Sequence, residues 1–389
     1  MKGHIKTVAP KTFDLVINLG RDENGLRHNR WERYHGKKGD AEARLAELIH
    51  QHETGALVDS KKATVAAFLT DWLKNYASNR VSGLTFQRYS ILIKKSIIPT
   101  LGTTLLAKLQ PTHLQALYTR LMENGRTIGK GGLSASTVRQ VHAVLHKALR
   151  CAVKWGFLPR NIADAVEAPR PRPKEATVPT PAEIANLLAY LQTADPDLRT
   201  PTLVAAATGM RRGELLALTW ANVDLERGSI SVTQSLEETL ANGVVVKQPK
   251  TASSRRTVAV PAMVAEALRS HSAAQAARKL AMGAGYKDID FVFADLDGSM
   301  LVPSLFSKRF KRSTNKCKLP IRFHDLRHAC ATMLLRQGVH PKIVSERLGH
   351  STIGITLNLY SHVTPDMQRD AAEQLDNVLR LAIRNHAKG

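Results

Sequence analysis

The residues with the most chemistry to offer lie in the second half of a 389-residue chain. Arg211 sits in Thr208-Gly209-Met210-Arg211-Arg212-Gly213-Glu214, and Lys250 in Pro249-Lys250-Thr251. His324 and Arg327 share His324-Asp325-Leu326-Arg327-His328, His350 ends Leu348-Gly349-His350, and Tyr360 opens Tyr360-Ser361-His362. Phosphoryl transfer at a diester requires a nucleophile in line, positive groups on the nonbridging oxygens and an acid at the leaving oxygen. Two arginines, a lysine and two histidines meet the needs of a pentacoordinate phosphorus transition state, with a tyrosine as candidate nucleophile. Arginine suits the nonbridging oxygens because its planar fork holds two of them and stays charged. A phenol of pKa about 10 needs positive neighbours to ionise near neutrality, and five basic residues would supply them. Taken singly, each residue has a plainer reading: Tyr360 as a packing residue, Lys250 as a solvated turn lysine, a lone histidine as structural. The ordered set carries the chemistry.

The local patterns predict how these residues are held. His324 and Arg327 are three apart, and the apolar spacing of Leu326, Ala329, Met333 and Leu334 predicts a helix with both on one face. Arg211 and Glu214 are likewise three apart at a helix start after Gly209, where Glu214 is expected to orient a neighbouring basic group; a surface helix pair is the alternative. Gly349 is placed to end a helix that Pro341 opens, leaving His350 just beyond it. The run from Ile353 to Tyr360 predicts a short helix. Ile230 to Ser235, Val244 to Lys247 and Arg256 to Val260 are strand-like, with Asn242-Gly243 a hairpin turn between the first two and Lys250 in the connection between the second and third.

The formal net charge of +23 implies a polyanionic partner, and nucleic acid leads the candidates. Its location says more. Residues 1–60 carry 10 Lys+Arg against 9 Asp+Glu, residues 61–176 carry 19 against 5, and residues 177–389 carry 27 against 19. The middle segment is therefore the expected electrostatic grip, one that weakens as salt rises. Cys151, Cys317 and Cys330 are too few and too scattered for a disulfide framework and contain no Cys-x-x-Cys pair. The N-terminal residues lack the apolar run of a signal peptide, and no stretch reaches the length of a membrane span. The expectation is a reduced, cytoplasmic, nucleoid-associated protein, and no membrane partner.

Ahead of the chemistry, three further segments are legible. Phe13 to Leu19 alternates as a strand, Arg21 to Gly25 reads as a turn, and further strands are expected at Leu26 to Trp31 and around Arg33 to His35. A helix follows from Asp40. Residues from about 61 to 168 read as all-helical: Val65, Phe68, Leu69, Trp72, Leu73 and Tyr76 keep helical spacing, Pro111 opens one helix, and Ser136 is the expected N-cap of a long one. A Pro-rich basic stretch around Pro169 to Lys174 reads as an extended linker.

The order and context of the six residues resemble the tyrosine recombinases, the phage-integrase family, in the branch of transposon and conjugative-element integrases. The resemblance extends over nearly the whole chain and is most specific in Thr208 to Glu214 and in His324 to Tyr360. It implies a mainly α fold with small β-sheets in three domains. These are a β3-α arm-type DNA-binding domain at 1–58, a helical core-binding domain at 62–168, and, after a linker at 169–177, a mostly helical catalytic domain at 178–389.

The same resemblance implies that Tyr360 attacks the scissile phosphate, forming a 3′-phosphotyrosine and releasing a 5′-hydroxyl. Lys250 would be general acid to that leaving oxygen. Arg211 and Arg327 would hold the nonbridging oxygens, His324 and His350 would assist, and Glu214 and Asp325 would support them from behind. DNA contacts are expected from Arg27, Arg30, Arg33 and Lys37 on the first domain and from Arg88, Lys94, Lys95, Arg139, His142, Lys147 and Arg150 on the second. The reaction conserves bond energy in the phosphotyrosine, so neither a metal nor another cofactor is expected. The partners it implies are double-stranded DNA at the element ends and target, three further copies in a homotetramer, an excisionase and a host DNA-bending protein. The last helix, Pro365 to about Arg384, would pack on its own domain or on a neighbouring subunit. A type IB topoisomerase-like enzyme would use the same residues as a monomer and is the alternative; a non-catalytic DNA-binding protein is a third reading.

Overall fold

The computed structural model describes residues 3–21, 27–53, 62–126, 129–171, 178–248 and 255–360, with positions 369, 372–373, 375–380 and 383–384 beyond. The chain divides into two compact units, Met1–Pro173 and Lys174–Gly389. The first holds two separate hydrophobic cores. The architecture is mainly α with small antiparallel sheets, as the sequence implies. No helix among the described residues is long and apolar enough to cross a membrane.

The first unit begins with a three-stranded antiparallel sheet of β1 (Gly3–Ala9), β2 (Thr12–Arg21) and β3 (Arg27–His35), in that order. Alternation on β2 buries Phe13, Leu15 and Ile17 together with Ala41 and Leu45 of α1 (Lys38–Glu53). The strand count agrees with expectation, but the strands do not. The stretches at 27–31 and 33–35 are one strand, and the third is β1; Leu26 and the turn expected after Arg21 lie outside the described residues. That strand is mostly exposed and joins through its backbone, so its side chains announce nothing.

The helical part that follows comprises α2 (Val65–Asp71), α3 (Gly83–Leu92), α4 (Ile98–Leu101), α5 (Pro111–Asn124) and α6 (Ala135–Lys154). Wider π-helical turns extend α2 through Trp72–Ala77 and join α3 to α4 through Ile93–Ile97. Trp72 is fully buried there, stacked against Tyr76 and Tyr89 with ring centroids 5.9 Å from each. On α6, Val138, Val141, Leu145, Ala148, Leu149 and Ala152 line one buried stripe. Its N-cap is Ser134, whose Oγ accepts the Thr137 N–H at 3.2 Å; Ser136, the expected cap, lies within the helix.

In the second unit, α7 (Pro181–Ala194) opens with a capping box between Thr180 and Glu183, and α8 (Pro196–Thr208) runs through the core. Leu198, Leu203, Val204, Ala205 and Ala206 are buried on α8, which packs against α7, α10 (Ala262–Met282) and α12 (Asp325–Arg336). The short α9 (Arg212–Leu216) leads to β4 (Val223–Asp224), β5 (Ser229–Val232), β6 (Ser235–Thr239), β7 (Gly243–Lys247) and β8 (Arg256–Ala259). These form two sheets: β4-β5-β8, and a separate β6-β7 hairpin turned at Asn242-Gly243. The expected strand at 230–235 is thus two strands in different sheets. Its continuous β-favouring composition hid the break. Then come α11 (Pro303–Lys316), α13 (Pro341–Leu348) and α14 (Ile353–Tyr360).

Candidate active site

Two helix ends shape the site. α8 stops at Gly209, which takes a left-handed conformation (φ +66°), and α13 stops at Gly349 in the same way (φ +66°). At Gly209 a side chain is excluded twice over: a Cβ would also lie 2.2 Å from Leu348 Cδ2. The turn at Gly209 delivers Arg211 as the N-cap of α9, where Glu214 accepts the Arg211 backbone N–H at 2.9 Å and its Nη1 at 2.8 Å. Arg211 Nη2 then donates to the Gly349 carbonyl at 2.8 Å. From α12, Arg327 donates through Nη1 to the Gly209 carbonyl at 2.7 Å. The two arginines are thereby tied to the two helix ends.

Arg327 is 4% exposed, and its Nη2 is buried without a hydrogen-bond partner among the described residues. A buried donor left so costs about 1–3 kcal/mol, more when charged, and an anion's oxygen would offset that cost. Burial, then the neighbouring charge of Arg211, pushes the Arg327 pKa down to about 9, with Glu214 opposing. Glu214 is 6% exposed. Burial acts to raise its pKa, but the hydrogen bond and charge of Arg256 and the hydrogen bonds from Arg211 prevail and lower it. It stays a carboxylate between two guanidiniums.

His324 immediately precedes α12, with its ring centroid 5.0 Å from that of His328 in an edge-to-face arrangement. Its pKa falls to about 4, first through burial and then through His328 and Arg327. His324 nonetheless keeps an exposed surface, so it remains reachable. His350 follows Gly349, and its Nδ1 lies 2.8 Å from the buried Thr356 Oγ1 on α14. Burial and the charges of Arg327 and Arg211 hold its pKa at about 4 as well. Both imidazoles are neutral near pH 7, able to donate from one nitrogen and accept at the other. Asp325 is 3% exposed and accepts the Arg322 backbone N–H at 2.7 Å and Nη2 at 2.8 Å. It supports the start of α12.

Tyr360 is the last residue of α14, the helix that packs on α12 and α13. Lys250 lies outside the described residues, between β7 and β8. Of the six residues picked from sequence, the structure brings Arg211, Arg327 and His350 into one electrostatic neighbourhood, with His324 coupled to Arg327. Sequence reading missed Arg256 and Arg347. Arg256 Nη2 donates to Glu214 at 2.8 Å, and Arg347 Nη2 to the Ala207 carbonyl at 3.0 Å. The available signal was an arginine opening the apolar strand Arg256-Thr-Val-Ala-Val.

Among the described residues, the candidate DNA contacts differ in exposure and in their partners. Lys37, Lys94, Lys95, Arg139 and Arg150 are exposed. Arg88 donates to Gln140 at 2.9 Å, and Lys147 lies over the Tyr89 ring at 5.4 Å. His142 is half-buried, with Nδ1 2.9 Å from the hydroxyl of the buried Tyr118, and burial lowers its pKa; it belongs to the packing of α5 on α6. On the sheet, Arg33 forks onto Asp14 at 2.7 and 3.1 Å and stays open to solvent, beside an exposed Trp31. Arg30 and Arg27 occupy β3 positions paired with Ile17 and Arg21.

The model of the phage integrase family matches residues 178–367, and that of the phage integrase N-terminal SAM-like domain matches residues 64–122, together well over half of the chain. The chain belongs to the phage integrase family. It is therefore a tyrosine recombinase, and its relatives agree. It is 29% identical to a XerC-like tyrosine recombinase of Caldanaerobacter subterraneus over 94% of this chain and 96% of that one. It is 28% identical to the ICEBs1 integrase of Bacillus subtilis over 76% and 78%. Among solved structures, the Tn1549 transposon integrase in complex with transposon right-end DNA superposes with a TM-score of 0.69, at 22% identity, over 81% of this chain and all of the other. A lambda integrase dimer bound to a core site gives 0.58 at 17% identity, over 91% and 93%. At those identities the structures attest to the integrase fold. These matches give the topoisomerase alternative no support.

Proposed function

We propose that this recombinase integrates and excises a mobile genetic element by cutting and rejoining double-stranded DNA. Tyr360, ionised by the surrounding positive charge, attacks the scissile phosphorus as the phenolate, the P–O5′ bond breaks, and Lys250 gives its proton to the departing 5′-oxygen. The enzyme then holds the 3′-phosphate, and a 5′-hydroxyl from the partner strand reverses the step to make and resolve a Holliday junction. Arg211 and Arg327 neutralise the nonbridging oxygens, and neutral His324 and His350 donate hydrogen bonds to them. Glu214 and Asp325 hold the basic groups in place. The observation that carries this reading is the convergence of Arg211 and Arg327 on two neighbouring helix ends, with a buried Arg327 donor left for an anion.

The domain roles follow the same reading. Residues 1–58 bind arm-type DNA through the sheet, residues 62–168 grip the core site through Lys94, Lys95, Arg139 and Arg150, and residues 178–389 cut. Solved relatives are described on transposon-end DNA and, for lambda integrase, as a tetramer on a Holliday junction. A homotetramer on DNA is accordingly proposed here, with an excisionase and a host bending protein as accessories and a cytoplasmic, nucleoid-associated location. Leu375, Val378, Leu379 and Ile383 are all more than half exposed, which favours a docking role in trans for the last helix.

The test is a nicked suicide duplex carrying the element end. A covalent protein–DNA adduct is expected to form without magnesium and to vanish in Tyr360→Phe. An undiminished adduct in that variant would remove Tyr360 as the nucleophile.

A further inference from the structure

Arg256 opens β8, and its side chain is only 7% exposed. Among the described residues its guanidinium touches both Glu214 and the end of α13. Nη2 donates to Glu214 Oε2 at 2.8 Å, and Nε to the Arg347 carbonyl at 2.7 Å, in the last turn of α13. Nη1 lies against Gly349, where a Cβ would come within 3.0 Å of it. Glu214 is also the carboxylate that holds Arg211, and Gly349 is also the carbonyl that Arg211 grips. Arg256, Glu214, Arg211 and Gly349 thus close a ring in which every link is a short polar contact or a packed backbone. His350 hangs from that ring, one residue past Gly349.

We propose that Arg256 is a positioning residue for strand cleavage, setting the aim of Arg211 and His350 through Glu214 and the end of α13. The inference rests on the reading above, in which Arg211 and His350 address the scissile phosphate. Its physical basis is the number of directions involved. A lysine at this position reaches one acceptor well, whereas the planar fork of arginine serves a carboxylate and a carbonyl at once while lying flat on a glycine. Gly349 suits the same arrangement, since its left-handed φ is strained for other residues and a Cβ would press on the guanidinium at 3.0 Å. Loss of Arg256 leaves Glu214 buried with one cation instead of two and frees α13 from β8. Arg211 and His350 then lose their common reference.

The experiment uses the full chain and follows single-turnover adduct formation on the nicked suicide duplex, with DNA affinity and thermal melting measured alongside. Small misplacement of a phosphate-binding group slows chemistry by on the order of 10- to 100-fold, and Arg256→Gln is expected in that range with affinity changed by less than about threefold. Arg256→Lys should recover part of the rate. The double variant Glu214→Gln with Arg256→Gln should lose less than the product of the two single losses, because the two residues share one contact. Parent rates in Arg256→Gln overturn the proposal, as do multiplicative losses in the double variant or a fall in DNA affinity that matches the fall in rate. If Arg256→Gln does not fold, Arg256→Lys decides, and parent rates there overturn it equally. Tyr360→Phe is run in parallel: an adduct surviving in it indicts the assigned nucleophile and leaves the Arg256 result to be read separately.

Discussion

Arg211 and Gly349 are 138 residues apart in sequence, yet Arg211 Nη2 meets the Gly349 carbonyl at 2.8 Å. Arg327 makes the reciprocal tie to Gly209, two residues before Arg211. Each glycine ends a helix in a left-handed turn, which frees its carbonyl from the helix ladder to accept from an arginine. The site is therefore built as much from backbone as from side chains.

Gly209→Ala tests that dependence. The left-handed φ and the 2.2 Å approach of Leu348 Cδ2 both oppose a methyl group. Overpacking and φ strain together should destabilise the chain by roughly 2–4 kcal/mol. Chemical denaturation of the full chain measures it, and a loss below about 1 kcal/mol would mean that Leu348 simply moves aside.

Replacing Arg327 separates stability from catalysis. Its charge is buried, with the pKa held down to about 9 by that burial. Losing a poorly compensated buried charge relieves desolvation, while losing the donor to the Gly209 carbonyl costs about 1–3 kcal/mol, so Arg327→Met should stay within about 2 kcal/mol of the parent stability. Adduct formation should meanwhile fall by about 100- to 1000-fold. Arg327→Lys should fail too, since a point charge lacks the fork.

Lys250→Ala should slow cleavage of ordinary DNA, and a substrate with a better 5′ leaving group should restore the rate. A lysine that only binds DNA would give no such rescue. Absence of rescue therefore argues against the general-acid role.

The histidines predict a pH effect with a defined sign. His350 titrates at about 4 when folded and near 6.5 when unfolded. As pH falls between those values, the unfolded chain takes up a proton that the folded chain refuses, so stability is full above about 6.5 and is lost towards about 4. His350→Gln should flatten the fall in melting temperature over that window. A slope unchanged by the substitution would show that other groups set it.

Lys94 and Lys95 should behave unlike His142. Each lysine that meets a phosphate contributes roughly 0.9 to the slope of log affinity against log salt, so replacing both by alanine should lower that slope by up to about 2. His142→Ala removes a hydrogen bond to a buried tyrosine and should cost about 1–2 kcal/mol of stability with the salt slope intact. The reverse pattern would reassign all three.

Local sequence was enough to propose a catalytic set, and to place the helix stops around it and the helical character of 62–168. Caps, left-handed glycines and apolar spacing are short-range signals that the chain displays openly. It was not enough for β1, an exposed edge strand that pairs through its backbone, nor for the division of 230–239 between two sheets. His142 and Arg139 look alike in sequence, but folding buries one against Tyr118 and leaves the other exposed. Arg256 is the clearest case. Nothing near it in the chain marks it as more than a basic residue at a strand end, because its partners lie 42 and 91 residues away. Which residues could do chemistry is a matter of type and order; which of them share a carboxylate or a helix end is decided by packing between distant elements.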